Sequence, residues 1–413
     1  MATVANDKAA GRIALTYGDF KAYLAARFFM VIALEMQSVA VAWQVYEITR
    51  RPLDLGLIGL AQFLPGVALF LPAGHAVDRL DRRRVLIGAY AASAACSGLL
   101  CVIALYRTHS VYPIYVVVVL LGSIRAFSFP ASRALLPQLV AQEHFPNAVA
   151  WHSSIFQAGT ILGPACGGLL YALFQGPGGV YAISMVVGLG AAVSTQRIKA
   201  RARALPREPV SVKTVLAGFR YIWEHKLILG SISLDLFAVL LGGAVALLPV
   251  YAREILHTGP WGLGLLRSAP GIGAGLMAMF IAHRPLKGNS GPTMLWCVAG
   301  FGVATIIFGI SHNLWLSLIS LVLCGATDMV SVIIRAILIQ LGTPDEMRGR
   351  VNAVDMLFIG ASNQLGEFES GVTAHWFGTV PAVILGGVGT LVVIAIWAWA
   401  FPELRRASPV QTA

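Results

Sequence analysis

The chain has 413 residues, of which 57% are hydrophobic and 12% charged, and its mean hydropathy is +0.75. That leaves too little polar surface to cover a soluble globule, so a water-soluble enzyme or binding domain is excluded in favour of a polytopic membrane protein. A formal charge of +11 would suit a polyanionic partner in a soluble protein. Here, alternating the loops between the two sides puts most Lys and Arg in cytoplasmic segments, so the charge reports topology and no nucleic acid is expected.

Residues 1–19 are small and polar, with Lys8 and Arg12; no cleavable leader is expected, and the N-terminus should stay cytoplasmic. Apolar runs, set against Gly, Pro and charge clusters, predict twelve spans at 20–48, 55–77, 85–106, 113–136, 147–174, 178–198, 228–252, 261–283, 293–311, 313–341, 350–376 and 380–401. Domains follow as a six-helix bundle over 20–198, a linker over 199–227, a second bundle over 228–401 and a cytoplasmic tail over 402–413. The linker is basic, with Pro206 and Pro209. It is followed by TVLAGFRYIWEH, where Val215, Leu216, Phe219, Ile222 and Trp223 recur at helical spacing and predict a helix lying on the cytoplasmic face of the membrane. Cys96, Cys101, Cys166, Cys297 and Cys324 lie in apolar runs without a paired motif, so each reads as a small buried residue.

The two halves look like copies. RALLPQL at 133–139 reappears as RAILIQL at 335–341, Asn147-Ala148-Val149 as Asn352-Ala353-Val354, and Pro65-Gly66 as Pro270-Gly271. Matched Arg, Gln, Pro and Asn positions at an offset of about 200 residues, half the chain, are not produced by hydrophobic bias alone. They predict two six-helix bundles related by a pseudo-two-fold axis along the membrane normal, with the substrate path between them.

Between the first two long runs after the opening span, Gly74 to Leu86 reads GHAVDRLDRRRVL. So many charges cannot remain in hydrocarbon, which predicts a short aqueous loop. Gly74, Asp78, Arg79, Arg82, Arg83 and Leu86 stand at the spacing of the signature loop of the major facilitator superfamily, and the chain resembles its transporters. One departure is Asp81, where the superfamily usually has glycine; Asp tolerates a left-handed turn, so the loop should still form. In the fifth span Gly159, Gly163, Pro164, Gly167 and Gly168 resemble the motif of proton-driven exporters. The glycines also suit close helix packing, and Pro164 a kink, so packing and an exporter role both remain open. In the fourth span Leu121 and Arg125 resemble the start of a further exporter motif, but Phe129 stands where its glycine is expected. The run LDLFAVLLGGAVALLPVYA, the helix LAGFRYI and the segment RGRVNAV are similar to the bacterial branch containing enterobactin-type siderophore exporters and macrolide efflux proteins.

The resemblance implies an all-α fold of twelve transmembrane helices in two bundles, alternating access, and an inner-membrane location with both termini cytoplasmic. It also implies a gate in which Asp78 meets the N-terminal end of span eleven while Arg82 ties the loop to neighbouring acids. No nucleotide-binding loop, paired metal motif or nucleophile elbow occurs in the sequence. No enzyme activity, cofactor or metal is therefore expected. The partners expected are a small-molecule substrate, the lipid bilayer and protons, with sodium left open, and the protein is expected to be a monomer. Export of a siderophore or similar amphipathic molecule is the first reading; import of a metal-siderophore complex and a non-transporting receptor or scaffold are the alternatives.

Ionisable side chains within spans are costly unless paired or hydrated, so each is a candidate. Arg27 and Glu35 lie in span one, Arg125 and Arg133 in four, Asp235 in seven, Arg267 in eight, Asp328 and Arg335 in ten, and Asp355, Glu367 and Glu369 in eleven. In the superfamily, spans one, four, seven and ten line the central cavity. Proton-coupling and cavity candidates are Glu35, Arg27, Arg125, Asp235, Asp328, Arg335, Glu367 and Glu369. Asp328 and Arg335 are spaced to share a helix face, and the repeat makes Asp328 nearly equivalent to Arg125, so a charge pair bridging the halves is one reading. Arg133 and Arg335, near helix ends, are expected to snorkel to the interface, and Asp355 to partner the basic loop. The repeat aligns GEFESG at 366–371 with GPACGG in span five, putting two carboxylates where the other half has packing residues. Glu367 and Glu369 point about 200° apart, so only one can face the pathway or bind a proton.

Overall fold

The computed structural model describes residues 11–107, 110–199, 212–284 and 289–407. Residues 1–10, the linker prolines Pro206 and Pro209, and the end of the tail lie outside the described residues. The chain is all-α and polytopic. We number the spans α1 Gly18–Thr49, α2 Pro52–Ala68 continued by Phe70–Arg79, α3 Arg82–Leu105, α4 Tyr112–Leu135, α5 Phe145–Phe174 and α6 Pro177–Gln196. After the surface helix Val212–Glu224 come α7 Lys226–Gly242, α8 Gly259–His283, α9 Ser290–Ile310, α10 Leu314–Gly342, α11 Asp345–Phe377 and α12 Thr379–Ala400. Among the described residues ten helices are long and apolar enough to cross a membrane, and the two parts of α2, bent by 54°, form an eleventh candidate. The 33 residues of α11 are ample to span by length; charges such as Asp355, Glu367 and Glu369 lower its apolar character.

Local chemistry sets where these helices begin and end. Proline opens α2, α4, α5 and α6, in the first turn where its missing N–H costs nothing. Asn313 caps α10 by accepting hydrogen bonds from the amides of Trp315 at 2.9 Å and Leu316 at 3.2 Å. Gln175, at φ 51°, closes α5 in the left-handed conformation. Pro65 lies four residues before the bend in α2 and removes the donor that would bond the carbonyl of residue 61. Beyond Gly242, α7 gives way to a 3₁₀ turn Ala244–Leu247, a short turn Leu248–Val250 and a π turn Tyr251–Ile255. The Ser370 hydroxyl donates to the Gly243 carbonyl at this break, at 2.9 Å, which satisfies one backbone acceptor that the lost helix would have paired.

The chain forms two compact units, Met1–Gln44 with Leu64–Val210 and Val45–Phe63 with Ser211–Ala413. The first is centred on buried Phe20, Tyr23, Leu86, Tyr90, Leu135 and Ile198. The second has two cores, one around Leu234, Met294, Ile334 and Val393 and one where Ile222 of the surface helix meets Ile228, Ile339, Val351 and Val354. The surface helix is therefore docked on α11, while its Leu216, Phe219 and Trp223 remain exposed.

Two expectations need correction here. The segment beginning at Gly74 is helical to Arg79, and only Leu80 and Asp81 break it before α3. Asp81 is extended at φ −63°, with no left-handed turn, because it caps α3 by accepting from the Arg83 amide at 2.9 Å. Cys96 and Cys324 are buried as expected, but Cys166 is exposed.

Candidate functional site

The costliest groups in the second unit converge. Arg335 on α10 is 3% exposed, and Asp235 on α7 and Asp355 on α11 are each 6% exposed. The Arg335 guanidinium is ion-paired through Nη1 to Asp235, and its Nε lies 3.5 Å from Asp355 Oδ1. Opposite edges of one planar fork thus hold carboxylates from two other helices, a geometry a lysine ammonium cannot reproduce. Half-buried Asp328 lies two turns before Arg335 and is close enough to interact electrostatically with both Asp235 and Arg335. Two carboxylates are therefore ion-paired to one guanidinium, and a third lies within its electrostatic reach. This overturns the expectation that Arg335 snorkels, and it gives Asp355 a partner in Arg335. The physical reason is that each would otherwise be a lone charge in a low-dielectric helix packing.

Glu367 and Glu369 diverge, as their spacing on α11 requires. A methyl group added at Gly59 of α2 would lie 2.9 Å from both Cβ and Oε2 of Glu367, so this side chain packs on the α2 backbone. Glu369 accepts a hydrogen bond from Thr373 Oγ1 at 2.6 Å, one turn along its own helix. In the same unit, Glu254 accepts from Arg50 Nη1 at 3.0 Å and from the Tyr46 hydroxyl at 3.2 Å, and Arg253 lies 3.5 Å from Glu47. These ends of the spans carry a charge network that spacing in the sequence did not reveal, because its partners are some two hundred residues apart.

In the first unit, Arg27 on α1 lies over the Phe156 ring of α5 at 5.3 Å. One turn earlier on each helix, Tyr23 and His152 stack at 5.7 Å. Tyr23 and His152 were not singled out from sequence, although each stands four residues before a partner of the second rung. Arg133 lies over the Phe129 ring at 4.6 Å. Arg125 is exposed. Glu35 is half-buried, with its Cβ 2.5 Å from where a methyl at Gly163 would stand. The same test puts methyls 2.5 Å from Val31 Cγ1 at Gly159 and 2.8 Å from Met36 Cα at Gly167. The glycine stripe is thus the face on which α5 meets α1, with Pro164 and Gly168 also buried.

Around the signature segment, Asp78 and Arg79 are exposed. Arg82 is buried and donates to the Ala134 carbonyl at 3.2 Å, and Arg83 donates to the Gln196 carbonyl at 2.5 Å. The expectation that Arg82 ties the loop to acids is corrected: it instead satisfies one backbone oxygen, that of Ala134 near the end of α4, where a cation is favoured. Among the described residues no group of His, Cys, Asp and Glu could hold a metal ion.

The family described as transmembrane secretion effector, of the major facilitator superfamily, matches residues 14–410. The enterobactin exporter EntS of Shigella boydii serotype 4 (strain Sb227) is 27% identical over 400 residues, covering 95% of this chain and 94% of that relative. EntS of Escherichia coli O81 (strain ED1a) matches with the same identity and coverage. A bacterial homolog of the human lysosomal transporter Spinster superposes with a TM-score of 0.75 at 12% identity, covering 95% of this chain and 98% of that one. The POT family transporter PepTSo superposes with a TM-score of 0.73 at 11% identity, covering 94% and 98%. These two share the fold.

Proposed function

We propose that this chain, which belongs to the transmembrane secretion effector family of the major facilitator superfamily, exports a siderophore or similar amphipathic small molecule across a bacterial inner membrane in exchange for protons. The coarser reading, a multi-pass secondary transporter of the exporting kind, rests on the family match and on likeness to enterobactin exporters along nearly the whole chain. The finer reading rests on one observation: Asp235 and Asp355 are both ion-paired to Arg335, and Asp328 lies within electrostatic reach of Asp235 and Arg335. Excess negative charge away from water is expensive, and a cation that enters and leaves the cluster relieves it. A proton does this with the least change in packing. Its arrival at Asp328 would weaken that residue's hold on Arg335 and so bias one access state over the other. This reading puts both termini in the cytoplasm, on the strength of the basic bias of the alternate loops, and takes the transporter to work as a monomer.

The test is flux in vesicles of purified protein carrying an imposed pH gradient, with iron-free enterobactin, its iron complex and a cationic dye as cargo. Asp328→Asn should abolish gradient-driven movement of the iron-free siderophore while leaving passive exchange. Glu367→Gln and Glu369→Gln, run alongside, separate packing from coupling. Movement of the iron complex alone would turn the reading to import, drive by a sodium gradient alone would change the coupling ion, and undiminished driven flux in Asp328→Asn would remove the cluster from coupling.

A further inference from the structure

The first unit gathers charge at the level where α1 begins and α6 ends. The segment before α1 is pinned to α5. Asn147 Oδ1 accepts from the Ala14 amide at 3.1 Å, and the Gly11 carbonyl accepts from Asn147 Nδ2 at 2.9 Å and from Trp151 Nε1 at 3.1 Å. Tyr17 is held in turn, its hydroxyl 2.9 Å from His144 Nδ1. On the other side, Arg83 donates to the Gln196 carbonyl and Ile198 is wholly buried, so the chain leaving α6 is fixed as well. Asp19 joins the two by accepting from the Lys199 amide at 3.0 Å.

Between these edges lies a cavity of about 720 Å³, in whose wall the three cations Lys21, Arg197 and Lys199 meet a single carboxylate, that of Asp19. All three cations are exposed, and among the described residues no ion pair involves any of them. Tyr17 and Gly18 bring the start of α1 to the same wall, the end of a helix at which backbone amides are unspent and an anion is favoured. Away from the cations the walls turn apolar. Lys21, Ala25 and Phe29 follow one another at four-residue steps on α1; the first two line the cavity, and Phe29, further into the span, is exposed. On α6, Val186 and Val193 are exposed on the face that ends in Arg197. Exposed apolar side chains within a span face hydrocarbon, so both stripes lead from the bilayer interior to a basic mouth.

We propose that this cavity binds the phosphodiester headgroup of an anionic phospholipid, with Lys21, Arg197 and Lys199 around the phosphate oxygens and the acyl chains along the α1 and α6 stripes. The planar fork of Arg197 suits two phosphate oxygens at once, and the lysines add point charges. Basic pockets between spans at the membrane boundary take such headgroups. A zwitterionic headgroup brings its own ammonium against three cations and is disfavoured. A soluble phosphate ester meets the same cations but leaves the apolar stripes uncovered. Cargo and direction of transport do not enter: the lipid ties the start of α1 to the end of α6 in either case.

The experiment is native mass spectrometry of the full-length protein released from detergent, titrated with phosphatidylglycerol, phosphatidylcholine or glycerol 3-phosphate. Phosphatidylglycerol should be retained, and the other two should not. The triple variant Lys21→Gln, Arg197→Gln, Lys199→Gln should bind it about a hundredfold more weakly, and Arg197→Gln alone about fivefold, as expected for about 1 kcal/mol per cation at a membrane surface. Arg197→Gln, at an exposed position, keeps the site falsifiable if the triple variant does not fold. A control that replaces Arg284, Arg405 and Arg406 by Gln, all exposed in the second unit, loses the same charge and should bind as the native protein does. Hydrogen exchange in nanodiscs places the lipid: amides 17–22 and 194–199 should slow when phosphatidylglycerol is added to phosphatidylcholine, and not in the triple variant. Equal retention of phosphatidylcholine, native affinity in Arg197→Gln and the triple variant, or an equal loss in the control would overturn the site. Displacement of the lipid by glycerol 3-phosphate at matching concentration would make it a soluble-anion site and overturn the lipid assignment.

Discussion

Arg335 of α10 and Asp235 of α7 form an ion pair with almost no solvent exposure, and Asp355 of α11 closes on the other edge of the same guanidinium. Removing the cation would leave buried carboxylates facing one another, which costs about 3–5 kcal/mol for a broken buried pair. Arg335→Gln should therefore lower Tm in detergent by roughly 5–15 °C. Asp235→Asn should cost less, since Asp355 and Asp328 still neutralise the arginine. The double variant should fall short of the sum of the two, because both changes remove one interaction. Additive losses across this cycle would show that the pair is not coupled.

Arg50 ends α1 at φ 53°, a left-handed position, while pairing with Glu254 at 3.0 Å. Both side chains are about half exposed, so the pair itself contributes only about 0.2–1 kcal/mol. The left-handed backbone costs a non-glycine residue about 1–2 kcal/mol. Arg50→Gly should thus be near neutral, as strain relief offsets the lost pair, whereas Arg50→Ala should be measurably less stable. Glu254→Gln should match the small loss from the pair and become silent in high salt. Thermal melts of the three variants at two salt concentrations decide this, and equal stability of the Gly and Ala variants would refute the strain argument.

At Gly167 an added methyl would sit 2.8 Å from both the Cα and the carbonyl oxygen of Met36, which are backbone and cannot swing aside. Gly167→Ala should cost about 1–3 kcal/mol through overpacking of α5 on α1. Gly190→Ala on α6, where nothing lies within 4 Å, is the matched control and should be neutral or slightly stabilising. Equal melting of the two would mean that the stripe is not a packing contact.

Much of this was legible in the sequence. Span positions follow from apolar runs bounded by Pro, Gly and charge, because hydrocarbon admits little else. The importance of Asp235, Asp328 and Arg335 follows from the cost of charge at depth. What spacing along one helix could not supply was partner choice. Arg335 sits near a helix end, where snorkelling is a cheap solution for an isolated arginine, yet two acids from other helices make burial cheaper still. Asp81 reads as a turn residue beside its basic neighbours, but two free amides at the start of α3 recruit it as a cap. Arg27 was visible as a costly charge. Its partners His152 and Phe156 were hidden because they belong to a neighbouring helix whose register only packing fixes, and Tyr23, one turn before it on α1, gains its role only from that packing.

The surface helix offers the last prediction. Amphipathic spacing suggested a helix resting on lipid, but Gly218 lies so close to α11 that a methyl there would stand 2.6 Å from the Arg350 carbonyl oxygen. Around this contact Ile222 is buried and Phe219 stacks on Phe358 at 5.9 Å. Tyr221 reaches further and donates to the Gly342 carbonyl at the end of α10, at 2.9 Å. Carbonyl oxygens of two spans are thus met by one short helix, which ties the start of α11 to the end of α10. Gly218→Ala should loosen that tie without touching a charge. Hydrogen exchange of amides 214–224 should rise in the variant, while Leu216→Ala, at a position 60% exposed, should leave it unchanged. Should both variants exchange alike, the helix is held by the lipid surface and its contact with α11 contributes nothing to its order.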